Sequence, residues 1–258
     1  MSVTIAVYNA SGALVNAANG ENEACLSLAG AWSEGDYALI GGGKHLQVKI
    51  DRLVPDGEVY APKGEFKWTL PIGENRLAYS PEAFKTTDIH ARAMTEAEIK
   101  KSRVISLNPC DLRGDTDFYP HATANVETRN ESCFAARCVI DGFTDNAGHG
   151  EWPYQSWGIG TRTDAELTLN FGRAIRAQGV GLVLRADWPH DSRWQSADIT
   201  LSDGFKQTLN LVKTAEEQIF MFKEEHDAKY VILNGLIKAA DESPFPALTQ
   251  LKVYGHDK

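Results

Sequence analysis

The chain has 258 residues, 43% of them hydrophobic and 24% charged, and its 35 acidic residues against 26 basic ones give a formal net charge of −9. That length and apolar content suffice for one large or two modest cores with no disulfide or metal as a staple. The acidic balance, with no Lys/Arg run, argues against nucleic acid and against an anionic membrane surface as partners, and no apolar run approaches the ~18 residues of a membrane-spanning helix.

The opening segment MSVTIAVYNASG carries neither the basic region nor the long apolar stretch of a signal peptide. As it stands the chain reads as cytoplasmic, or as extracellular if a leader has been removed. In HLQVKID (45–51), Leu46, Val48 and Ile50 fall on one face, the period of a half-buried strand, and turn signals follow the same cadence at GGG (41–43), PDG (55–57) and PKG (62–64). Residues 1–93 are therefore predicted to form an N-terminal β-sandwich of unassigned role.

MTEAEIKK (94–101) breaks the pattern. Thr95 followed by Glu98 is a capping box, which predicts a short helix at the start of a linker over 94–119. From 120 to 258 the alternating segments return: AELTLNF, GVGLVL, ADITL, QTLNL, QIFMF, KYVIL and LKVYG, separated by Gly, Asp, Asn and Pro at intervals of about ten residues. The prediction is an all-β protein of two β-sandwich, jelly-roll domains joined by a short helical linker. Cys25, Cys110, Cys133 and Cys138 form no CxxC pair and no Cys/His zinc spacing, so reduced thiols are expected.

No GxSxG, HExxH, P-loop or dinucleotide fingerprint is present. The chemistry concentrates instead in two aromatic, charged stretches, HGEWPYQSWGIG (149–160) and RADWPHDSRW (185–194), which between them hold four of the six tryptophans. A sugar ring offers an apolar CH face for stacking and a rim of hydroxyls for planar donors and acceptors. Both stretches have the composition of such a site. The candidate binding residues are His149, Trp152 and Tyr154 on the first, and Arg185, Asp187, Trp188, His190 and Arg193 on the second. The bland alternative is that the indoles plug the sandwich ends while the charges pair with one another.

FAARCVIDGFTD (134–145), Ser156–Trp157, AELTLNFG (165–172), ADITLSDG (197–204) and ALTQLKVYG (247–255) occur in the order of, and together resemble, the F5/8 type C or discoidin-like galactose-binding superfamily. The resemblance covers residues ~120–258 and implies an eight-stranded β-sandwich with a glycan-binding loop end, as in carbohydrate-binding modules. It places Trp157 in the core beneath that end and leaves Trp152 and Tyr154 available. It also implies a structural Ca²⁺ held by Asp141, Thr144 and Asp145, weakened here because Gln250 stands where the family often has Glu and affinity follows ligand charge. No cofactor is required. The leading expectation is a non-catalytic carbohydrate-binding protein. The rivals are a glycan-active hydrolase or lyase, with His149 or His190 as general acid or base beside Asp187 or Asp191, and a module that binds protein through its aromatic loops.

Overall fold

The computed structural model describes residues 2–30, 32–145, 148, 150–186 and 192–258, and it is built of antiparallel strands. In the first half, β1 (Ser2–Tyr8), β2 (Leu14–Glu21), β4 (Tyr37–Gly41) and β7 (Glu65–Thr69) form a sheet in the order β2-β1-β4-β7. A second sheet, ordered β3-β8-β5-β6, contains β3 (Glu23–Leu28), β5 (His45–Lys49), β6 (Gly57–Tyr60) and β8 (Thr87–Ala93). Strand alternation decides what lies between them: Val3 and Ile5, Leu46 and Val48, and Phe66 and Trp68 all point inward and are buried. Ile50 joins this core just past the end of β5, as its place in the alternation predicts.

The predicted helix is α1 (Glu96–Lys100), with both halves of its capping box formed: Thr95 Oγ1 accepts from the Glu98 N–H, and the Glu98 carboxylate accepts from the Thr95 N–H. The stretch after it is woven into both halves. β9 (Arg103–Val104) pairs with the last strand of the protein, whereas Cys110 and Phe118 pack into the first core.

The second half is one eight-stranded sheet whose main path is β11-β16-β12-β15-β13-β14, made of β11 (Trp157–Gly158), β12 (Leu167–Leu184), β13 (Trp194–Leu201), β14 (Lys206–Asn210), β15 (Gln218–Lys238) and β16 (Ala247–Asp257). β10 (His121–Ala124) pairs with β12, and β9 with β16. AELTLNF and GVGLVL, two segments in the sequence, are one 18-residue strand, and QIFMF and KYVIL fuse likewise into the 21-residue β15. Irregularities between Asn170 and Ile175 and between Ala177 and Gly179 bend β12 so that it wraps the core. Gly172 sits at the first bend with φ +65°, and a Cβ there would lie 2.1 Å from the Tyr119 ring, so only glycine fits. Leu167, Leu169, Phe171, Ile199, Leu233 and Val253 fill the interior.

The two halves meet along a polar seam. Tyr60 and Tyr119 exchange backbone hydrogen bonds of 2.7 and 2.9 Å, which covers the free edge of β6. Behind them the guanidinium groups of Arg103 and Arg173 each bond the carboxylates of both Glu58 and Asp257, and Arg173 lies 4.7 Å over the Tyr60 ring. No helix among the described residues is long and apolar enough to cross a membrane.

Candidate functional site

Strand pairing brings three distant segments to one end of the second sandwich. Trp157 opposes Leu248 and Gly158 opposes Ala247, so residues 154–158 lie beside 245–247. Leu184 also opposes Leu248, and the N–H of Arg185 donates to the carbonyl of Ala247 (3.0 Å), which adds the end of β12. Gly158 lets Thr128 pack against this strand, because a Cβ there would fall 2.6 Å from Thr128 Oγ1. Between these segments opens a cleft of about 610 Å³ with Phe134, Tyr154 and Phe245 among its walls, a size ordinary for a small-molecule site.

The aromatic walls differ in how they are held. Phe134 and Tyr154 meet edge to face at 6.3 Å, and the Arg129 guanidinium lies 5.1 Å over the Phe134 ring while clasping Glu131 through two hydrogen bonds of 2.6 and 2.7 Å. Phe245 is 53% exposed between Pro244 and Pro246; two fixed φ angles stiffen the loop that presents it. Burial pushes the Tyr154 hydroxyl up to about 12, helped by its contact with Cys133, so it is neutral and available as a hydrogen-bonding group at any ordinary pH.

Arg185 lines this cleft but is only 3% exposed. Its guanidinium donates to the carbonyls of Tyr154 and Gly148, so it ties the 148–154 loop to the end of β12 and braces the wall. Tyr154 and Arg185 are thus brought together, with Arg185 as a buried brace and not an exposed contact. Trp152 is half-buried and packs edge-on against Phe143 at 5.0 Å, and Arg193 is half-buried with its N–H on Asp241; neither lines the cleft. His149, Asp187, Trp188 and His190 lie outside the described residues. Trp157 is core: fully buried, its Nε1 donates to the Val126 carbonyl (2.9 Å) and its ring is 6.2 Å from that of Trp194.

Phe134, Phe245 and the Arg129–Glu131 pair were not singled out by the sequence reading. The one local signal was Pro244-Phe245-Pro246, an aromatic that a loop cannot readily bury.

The loop expected to hold Ca²⁺ has a different occupant. Gln250 Nε2 lies 2.8–3.1 Å from four oxygens, those of Asp141 Oδ1 and the carbonyls of Cys138, Phe143 and Thr249. Its Oε1 accepts from the Gly142 N–H (3.2 Å). The Asp141 carboxylate also accepts from the Phe143 N–H and from Gln155 Nε2. Burial raises Asp141 to about 6, against the pull of Arg137 and these amide donors. Ca²⁺ takes six to eight oxygens at about 2.3–2.6 Å, with carboxylates to balance its charge. Here one carboxylate is present and an amide NH₂ fills the oxygen cradle, so the donor set does not suit a hard cation. Thr144 and Asp145 line a cleft of about 400 Å³ that includes neither Asp141 nor Gln250.

A second cluster, His45, Glu58 and Asp257, gathers metal-type ligands at the seam. Arg103 and Arg173 already neutralise its two carboxylates, which makes it an ion-pair knot. His121 and Asp111 form a buried pair at 2.7 Å; burial opposes the imidazolium, but the Asp111 carboxylate outweighs it and raises the histidine.

No protein-family model matches the sequence, and no curated protein matches it. Solved structures similar to the chain include a family 32 carbohydrate-binding module of C. perfringens NanJ in complex with galactose, at 17% identity over 52% of this chain and 91% of that one, with a TM-score of 0.40. A chitosan-binding module from a chitosanase/glucanase of Paenibacillus sp. is 18% identical over 59% of this chain and 99% of its own, with a TM-score of 0.41. A fucose-binding module of Streptococcus pneumoniae is 14% identical over 60% of this chain and 99% of its own, with a TM-score of 0.43. At these values the likenesses carry no functional inference.

Proposed function

We propose that this chain is a non-catalytic carbohydrate-binding protein and that its glycan sits in the cleft walled by Phe134, Tyr154 and Phe245. The observation that carries the reading is the pairing, in one cleft, of a half-exposed aromatic on a stiff loop with hydroxyls and a pre-formed Arg129–Glu131 pair. Phe245 supplies the apolar face on which a pyranose stacks. Tyr154, Thr128 and Thr161 supply hydroxyls, and the clasped ion pair offers donors and acceptors side by side for vicinal sugar hydroxyls. His149, Asp187, Trp188 and His190 are proposed as further sugar contacts on their chemistry alone, as stacking and hydrogen-bonding side chains.

The test is a glycan array on the purified protein, followed by affinity and melting measurements on two variants. Phe245→Ala removes exposed apolar contact, so affinity should fall by roughly 1–3 kcal/mol while stability changes by less than about 0.5 kcal/mol. Trp157→Ala should cost about 3–5 kcal/mol of stability, as emptying a core indole site does. An array on which nothing binds, or unchanged affinity in Phe245→Ala, contradicts the reading.

A further inference from the structure

A second cleft, of about 500 Å³, lies on the other side of the Pro244–Pro246 loop. It shares Gly160, Thr161 and Pro246 with the first, so the two meet across a common ridge. Each bounding segment faces both: Phe245 lines the first cleft and Pro244 the second, while Gly158 lines the first and Arg162 and Thr163 the second. The floor of the second cleft is the buried Trp194, and Ile237, 51% exposed, stands on its wall as an apolar shelf.

The charges in this double groove are matched locally. Arg162 Nε bonds Asp164 Oδ1 at 2.7 Å with a second bond alongside, Lys238 Nζ bonds Asp241 Oδ1 at 2.5 Å, and Arg129 is clasped by Glu131. Arg185 is committed to backbone carbonyls, and Glu242 adds a further carboxylate to the second wall. An anionic ligand would have to break these pairs, and it would approach a chain of net charge −9. Neutral hydroxyls can meet such a pair without breaking it, because the pair presents donors and acceptors together.

Resting on the carbohydrate reading above, we infer that the two clefts are consecutive subsites for a neutral oligosaccharide chain that crosses the Thr161–Pro246 ridge, so that length, and not only the terminal sugar, is recognised. Calorimetric titration with β-1,4-linked oligomers of glucose, N-acetylglucosamine and galactose, from one to six units, tests this. In the series that binds, affinity should rise at least tenfold from the monosaccharide to the hexasaccharide. The double variant Arg162→Ala, Ile237→Ala should lose that gain and keep the wild-type monosaccharide affinity, and Phe245→Ala should weaken every length. β-1,4-Linked oligoglucuronate should bind no better than the neutral β-1,4-linked glucose oligomers at low salt. Affinity independent of length in the wild type, or a preference for the uronate, overturns the inference and leaves the carbohydrate reading standing. Failure of every sugar here and on the array overturns both.

Discussion

Gln250 shows how one side chain changes what a loop needs. Its amide reaches four oxygens and its own oxygen takes the Gly142 N–H, so a neutral group closes the turn that a cation would otherwise close. The melting temperature should therefore be the same in EDTA and in millimolar Ca²⁺. Gln250→Glu places a second carboxylate against the buried Asp141. Without metal that variant should melt lower than the wild type, since an uncompensated buried charge is strongly destabilising. With Ca²⁺ it should recover in a saturable way, because the metal binds only the folded state. A wild type that loses stability in EDTA contradicts this picture of the loop.

At the level of elements, the long strands depend on where they bend. Gly172 combines a left-handed φ with a backbone pressed against Tyr119. Gly172→Ala should destabilise by more than the ~1 kcal/mol of a simple conformational penalty, measured by urea unfolding, whereas Gly204→Ala, with φ +95° and nothing near its Cβ, should show the conformational penalty alone. Most of the strands were legible in the sequence, because Leu46 and Val48, or Leu167 and Leu169, alternate with polar residues whatever the topology. The fusion of segments into β12 and β15 was not, since Gly172 inside β12 looks like a turn glycine and the polar run 223–227 inside β15 looks like a loop in a string of letters. The site was half legible. Tyr154 and Arg185 sit in conspicuous stretches, but Phe245 joins them only through the β11–β16 pairing, and the commitment of Arg185 to carbonyls is a fact of packing that composition does not carry.

For the whole molecule, the seam sets the response to acid. Burial by itself would push Glu58 up, but His45 and the guanidinium groups of Arg103 and Arg173 prevail and hold it at about 2, against 4.5 for the free side chain. A depressed carboxylate contributes stability that is present above about pH 4.5 and is lost as pH falls toward 2. Each tenfold change in proton affinity is worth roughly 1.4 kcal/mol, so that contribution is about 3 kcal/mol. Urea midpoints taken from pH 7 down to 2.5 should fall more steeply for the wild type than for Glu58→Gln, which should already be weaker at pH 7 because it leaves two part-buried guanidiniums half-paired. Parallel acid limbs would mean that Glu58 does not couple the two halves.

Entry of a glycan into the cleft between Tyr154 and Phe245 is tested most directly by an amide chemical-shift titration with the tightest-binding glycan of the array. Saturable shifts are expected at Gly158, Gly160, Thr161, Phe245 and Ala247, which surround the cleft, with Ile5 and Val48 in the other core unmoved. Shifts confined to the cleft of Thr144, Glu217 and Lys252, or to the first sandwich, would contradict it.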